Sequence, residues 1–312
     1  MSDKKSQSWT VDQQIEEAWR RFGVFDYPDK LLPYTPRSSD VICAVPFKHG
    51  TTWLLHICHQ IRMQGAEPDF EDQFKVVTWL DSSAIKMFGI DHVTQPQPAE
   101  PHIFMSHLPY AGIPSGGRKI HCYRDPKDAL VSHYHFLDSF LSFNGRVSLD
   151  VFAQVDIQRG AVSIYLVDLL EWWEHRHDPD VLFLFYDDLK EDHIGCVRRI
   201  AKFMGVDCSE EVIMRVVHTT THAEMLRHSS KFDLHSVVHN IAKRFREGNE
   251  EDNTMVGRVR KGGGKSGEGQ LLPPDIKEHI DQKWEETVTA KLGFKSLNEM
   301  RLYWKKELNH KK

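Results

Sequence analysis

Val41-Ile-Cys-Ala-Val-Pro-Phe-Lys-His-Gly-Thr-Thr-Trp53, with Leu54 to Met63 behind it, is the stretch whose reading decides the fold. Val41 to Val45 is a continuous apolar run, the pattern of a strand buried on both faces of a parallel sheet. A tight turn carrying Lys48 and Gly50 follows, and then the first turn of a helix. Thr51 and Thr52 bring hydroxyls and unpaired backbone N–H groups to a point where the helix dipole adds positive potential. Lys48 adds a full charge beside them. Such a turn either binds a tetrahedral anion, phosphate or sulfate, or is an ordinary strand–helix connection. It is not the nucleotide-triphosphate loop G-x-x-x-x-G-K-[ST], because the lysine precedes the glycine by two positions instead of following it, and Trp53 follows the threonines. Trp53 reads either as a ring that stacks on a base or as a core residue.

Outward from this stretch, strands alternate with longer helices. Val11 to Phe22 has helical spacing, and Tyr27 to Pro36 is a proline-rich lead into the first strand. Short pieces are expected over Val76 to Asp81 and Ser82 to Phe88. His102 to Leu108 and Lys119 to Arg124 read as strands, and a helix is expected from Lys127 to about Phe140 with Pro126 at its start. Val151 to Arg176 reads as one long helix, Val181 to Tyr186 as a buried strand, Lys190 to Met204 as an amphipathic helix stopped by Gly205, and Glu210 to Val217 as the start of another. The order implies an α/β fold, with a central parallel sheet flanked by helices. Neither an internal repeat nor an interdomain linker is seen, so residues 1–312 are read as a single domain, with about ten flexible residues at the N-terminus. Arg260-Lys-Gly-Gly-Gly-Lys-Ser-Gly-Glu-Gly269 is glycine-rich. Its composition favours a flexible surface loop over a backbone that folds across a ligand.

Composition narrows the function. Forty per cent apolar residues suit a globule with a substantial core, and the formal charge of −5 provides no general field for nucleic acid. The five cysteines are scattered, make no C-x-x-C pair, and read as reduced thiols. No run approaches the ~18 apolar residues of a membrane span, and Met1 to Gln14 has no apolar signal region. The expectation is a soluble, cytoplasmic protein. In open α/β sheets ligands sit beyond the carboxyl ends of the strands. Four such ends carry suitable chemistry here: the Lys48 loop, Ser106-His107, Arg124 and Tyr186.

Taken together, these motifs resemble the cytosolic sulfotransferases. Lys48-His-Gly-Thr-Thr-Trp53 is similar to that family's phosphosulfate loop, usually K-S-G-T-T-W. Arg124-Asp-Pro-Lys-Asp-Ala-Leu-Val-Ser132 is similar to its 3′-phosphate motif. Glu171-Trp-Trp173, Leu184 to Leu189 and Arg260-Lys-Gly262 follow in the family's order, so the resemblance runs from about Asp40 to about Trp284. It implies a P-loop-like fold that binds 3′-phosphoadenosine 5′-phosphosulfate (PAPS) and sulfates a small molecule, without a metal. By position it makes His107 the general base and places Lys48 at the leaving oxygen. His49, Gly50, Thr51 and Thr52 fall around the 5′-phosphate and Trp53 on the adenine. Arg124, Ser132, Arg260, Lys261 and Gly262 fall at the 3′-phosphate, and Tyr186, Thr220 and His222 on the adenine side.

The acceptor is expected to be a small hydroxyl or amine compound, with Phe22, Phe25, Trp79, Phe88, His133, Phe136 and Phe140 as pocket walls or, equally, core. Met105 stands where many animal members have a second lysine, His49 where they have serine, and His222 where they often have phenylalanine. The dimer motif K-x-x-x-T-V-x-x-x-E is not apparent after Gly262, which leaves the oligomeric state open. A P-loop kinase of small metabolites and a non-catalytic nucleotide-binding protein of the same fold are the competing readings.

Overall fold

The computed structural model describes residues 9–22, 33–81, 95–140, 145–233 and 258–310. Phe25 and Phe88 lie outside them, as do the side chains of Phe22 and Phe140 and the piece expected over Ser82 to Phe88. Helix α1 (Val11–Phe22) matches the expected span. β1 (Val41–Ala44) leads through the Lys48 turn into α2 (Thr51–Arg62). β2 (Thr78–Trp79), β3 (Ile103–Ser106) and β4 (Arg118–Tyr123) follow, then α3 (Pro126–Phe140).

Among the described residues five strands, including β5 (Val181–Phe185), are parallel and lie in the order β2-β3-β1-β4-β5. β1 is central, with Val41 registered against Ile103 on one side and Arg118 on the other. Val41, Ile42, Cys43 and Ala44 are fully buried, as a strand covered by helices on both faces requires. Each such branched side chain contributes roughly 1.5–3 kcal/mol through burial. The chain runs from β1 out to β2, returns through β3, and crosses to β4 on the far side. The strand order therefore reverses at β1, where open sheets of this kind form a crevice.

Two expected helices are interrupted. The span Val151 to Arg176 is α4 (Leu149–Gln158) and α5 (Ala161–Glu174), separated at Gly160, whose φ of 88° no helix can accommodate. The span from Lys190 is likewise two helices: α6 (Tyr186–Glu191) continues directly from β5, and α7 (His193–Met204) begins after Asp192, whose carboxylate accepts from Gly195 N at 3.0 Å. Tyr186 is thus the first residue of a helix rather than the last of a strand. α7 ends at Gly205 in the left-handed conformation, as expected. α8 (Glu210–Thr219), α9 (His222–Arg227), α10 (Pro274–Trp284) and α11 (Leu297–His310) complete the helices used below.

All five cysteines are free, and Cys43 and Cys58 approach only to 3.8 Å between sulfurs. Among the described residues no helix is long and apolar enough to cross a membrane.

Candidate active site

The Lys48 turn is held in a conformation that most residues avoid. Lys48 has φ 67° and Gly50 has φ 103°. A side chain at Gly50 would also meet the Tyr186 ring, since a Cβ there falls 2.7 Å from Cδ2. Only glycine satisfies both constraints. Strain at Lys48 is the kind retained where the surrounding structure over-determines it, commonly at functional sites. The turn delivers the first N–H groups of α2, which have no intrahelical acceptor, to the carboxyl edge of the sheet.

Four strand ends meet there. Lys48, His107, Arg124 and Tyr186 line one cavity of about 540 Å³, together with Thr51, Thr52, Trp53 and Ser132. The glycine-rich segment closes it: Arg260, Gly262, Gly263, Gly264 and Lys265 are part of the wall. The flexible surface loop favoured by composition is therefore corrected. The Asp128 carboxylate on α3 accepts from Gly267 N at 2.9 Å and Gly269 N at 2.7 Å, and Tyr186 donates its hydroxyl to Gly264 O at 3.1 Å. A Cβ at Gly269 would fall 2.4 Å from that of Lys127, so the segment can approach α3 closely only as glycine.

His107 is oriented by two anchors. Its Nδ1 lies 2.6 Å from Val45 O, and a carbonyl only accepts, so Nδ1 carries the proton and Nε2 keeps its lone pair. The buried Asp81 carboxylate accepts from His107 N at 2.8 Å, from Trp79 Nε1 at 2.7 Å and from the Ser106 hydroxyl. Burial pushes Asp81 up to about 6 against those three hydrogen bonds. Burial also lowers the His107 imidazole to about 3, helped by the charges of Arg258 and Lys48, so it is neutral at physiological pH. The Lys48 ammonium lies 4.3 Å from the Phe136 ring centre. Burial first, then Arg258, Arg124 and Arg260, lower it to about 7.

Several buried donors face no protein partner among the described residues: the Thr51 hydroxyl, Arg124 Nε and Arg258 Nη1. Orphans of this kind are unusual in a finished interior and mark places where a ligand completes the hydrogen bonding. They fit an anion bound along the loop and an anion at Arg124. Arg124 otherwise meets Lys265 O at 2.6 Å and the Glu268 carboxylate at 3.4 Å, and Arg260 meets the same carboxylate at 2.6 Å. Trp53 donates from Nε1 to Thr220 O at 2.7 Å, packs at steep angles to Tyr186 and His193, and lines the cavity with His222.

Not every expected residue enters the cavity. His49 turns inward, with Nδ1 2.8 Å from Phe47 O and its ring among Tyr123 and Tyr165. Thr220 spends its hydroxyl on Val216 O at 2.6 Å and reaches the site only through Trp53. Lys261 is exposed. His133 pairs with the buried Asp156 at 2.8 Å, behind Phe47. Among the candidate walls, Trp79 and Phe136 do line the cavity. Met105 is wholly buried in β3.

Sequence reasoning missed Phe47, Lys190, Ala223, Met225, Leu226, Arg258 and Val259, which also line it. Phe47 sits beside Lys48 and stacks on His107 at 3.9 Å, so its proximity to the motif was a usable signal. The others carry no local pattern. Among the described residues no cluster of histidine, cysteine or carboxylate side chains is placed to hold a metal ion.

Comparison with known proteins gives a consistent picture. The sulfotransferase domain family matches residues 38–290. Amine sulfotransferase of Oryctolagus cuniculus is 29% identical over 229 residues, which is 70% of this chain and 74% of that protein. Human sulfotransferase 4A1 is 30% identical over 189 residues, covering 58% of this chain and 65% of its own length. Among solved structures, retinol dehydratase in complex with androsterone and the inactive cofactor PAP superposes with TM-score 0.63 at 20% identity, over 91% of this chain and 88% of that one. Mouse sulfotransferase SULT7A1 complexed with PAP gives 0.55 at 20%, over 95% and 94%.

Proposed function

Because the chain belongs to the sulfotransferase domain family, we propose that it transfers the sulfuryl group of PAPS to a hydroxyl or amine of a small-molecule acceptor. The observation that carries this reading is the convergence of Lys48, His107 and Arg124 from three strand ends on one cavity, whose wall holds no carboxylate among the described residues. Such a wall suits a highly anionic donor.

Lys48, Thr51, Thr52 and the first N–H groups of α2 would hold the 5′ side, Arg124, Ser132 and Arg260 the 3′-phosphate, and Trp53 the adenine. The donor supplies an activated sulfur–oxygen bond. His107, neutral and with Nε2 free to accept, takes the proton of the attacking hydroxyl or amine. Lys48 places positive charge where negative charge develops on the departing oxygen. Phe47, Trp79 and Phe136 exclude water around His107, which strengthens both interactions. Transfer of this kind requires alignment and electrostatics rather than covalent help from the protein, in the manner of phosphoryl transfer.

Thermal-shift titration with 3′-phosphoadenosine 5′-phosphate (PAP), AMP, and ATP with magnesium tests the reading. PAP should bind at least ~10-fold tighter than AMP, the worth of one charge-assisted contact. Equal affinities, or a preference for ATP with magnesium, sink it.

A further inference from the structure

The cations around the cavity are not equivalent. Arg124 and Arg260 share Glu268, and Lys190 meets the Ser266 hydroxyl at 3.1 Å. Arg258 differs. Its Nη1 is shut off from solvent and meets no hydrogen-bond partner among the described residues. Its guanidinium lies 5.0 Å from the Phe74 ring centre, Phe74 stacks on Trp79, and the edge of Trp79 meets His107 at 5.6 Å. Arg258 therefore borders the aromatic wall that runs through Phe74 and Trp79 to His107. It is also the strongest charge acting on Lys48 and the strongest acting on His107. Burial lowers its own pKa only to about 10, offset by Asp72 and Asp233, so it is charged at neutral pH.

The donor's anionic groups already have partners along Lys48, Thr51, Arg124 and Arg260. Asp72 and Asp233 act on the Arg258 charge, but its Nη1 still lacks an acceptor among the described residues, in a wall that also holds Phe47, Trp79 and Phe136, and an anion on the other reactant would supply one, since a buried donor left unmatched is costly. We infer that the acceptor is a hydroxy or amino acid in the broad chemical sense: an apolar or aromatic body with a carboxylate that Arg258 holds while the hydroxyl or amine faces His107. A planar fork that can grip both carboxylate oxygens suits this task better than an ammonium. This inference rests on the sulfotransferase reading.

The test compares each acid with its uncharged amide at fixed PAPS. The pairs are 3-(4-hydroxyphenyl)propionate and trans-4-hydroxycyclohexanecarboxylate against their amides. PAP formation is followed for the wild-type protein, Arg258→Met and Arg258→Lys. The acids should be favoured by about 10–100-fold in kcat/KM, mostly through KM, as one charge-assisted contact permits. The ratio should collapse toward one in Arg258→Met and be partly kept in Arg258→Lys. Equal kcat/KM for acid and amide in the wild-type protein overturns the inference without any variant. So does an Arg258→Met that slows acid and amide alike through kcat, because the guanidinium would then serve the transferred group. PAP formation with neither pair nor any neutral phenol or amine counts against the enzymatic function itself.

Discussion

The two ends of the cavity are built by different means. At the proposed donor end the lining residues come in short runs, Lys48 and Gly50 to Trp53, then Arg260 and Gly262 to Lys265, joined by Arg124 and Ser132. Much of that end is backbone: the strained turn at Lys48 and Gly50, and the glycines pinned by Asp128. At the proposed acceptor end Phe47, Trp79, His107, Phe136 and Arg258 come from five separate places in the chain. On the proposed reading the donor end would hold one fixed ligand chemistry and tolerate little change. The acceptor end can be remodelled one side chain at a time, which is how one fold comes to serve different substrates.

If that division is right, removing the base should harm chemistry and spare donor binding. His107→Ala should lower single-turnover rates by ~10²–10⁴-fold, with PAP affinity changed by no more than a few-fold. An equal loss in both would show that His107 belongs to the donor end. Lys48 lies on the border. Lys48→Met should cost about 3–4 kcal/mol in the transfer step, by analogy with the loss of one oxyanion donor, and less in PAP affinity. If affinity falls in full proportion to rate, Lys48 is a ground-state clamp and its catalytic role is wrong.

Lys48 also makes the donor end sensitive to pH. Its ammonium titrates near 7 in the free protein, and a bound anion raises that value. Below about 7 the group is charged in both states and PAP affinity should be flat. Above it, binding must take up a proton, so affinity should fall by up to ~10-fold per pH unit. Calorimetry at pH 8 in two buffers of different ionisation enthalpy should register uptake approaching one proton, and Lys48→Met should abolish it. No uptake in the wild-type protein would place the titration elsewhere.

The smallest expected effect is a gain. Glu268 occupies both Arg124 and Arg260, and a 3′-phosphate bound there as proposed would have to compete with it. Glu268→Gln should tighten PAP by ~2–5-fold, the scale of a partly exposed ion pair, and leave AMP nearly unchanged. Weaker PAP binding would mean that Glu268 shapes the arginines rather than competing for them.

The sequence alone determined the Lys48 turn and the Arg124 strand end. The apolar run, the glycine at the turn, the threonines at a helix start and the Arg124-to-Ser132 spacing are local, and local chemistry is legible because neighbouring residues remain neighbours when the chain folds. The same holds for the strand ends at His107 and Arg124, which any parallel sheet brings to one edge. Only the tertiary structure decided the rest. Composition favoured a mobile loop for the glycine-rich segment, until Asp128, 139 and 141 residues away, accepted its N–H groups. The helix across Gly160 kept its apolar periodicity while the backbone broke. His49 belongs to the loop motif yet turns its ring into the core. Arg258 lies outside every recognised motif, and its meaning comes from the aromatic rings and the cavity that surround it. Periodicity and spacing record what a residue requires of its neighbours along the chain, whereas burial and pairing across long separations are set by which surfaces the whole fold brings together.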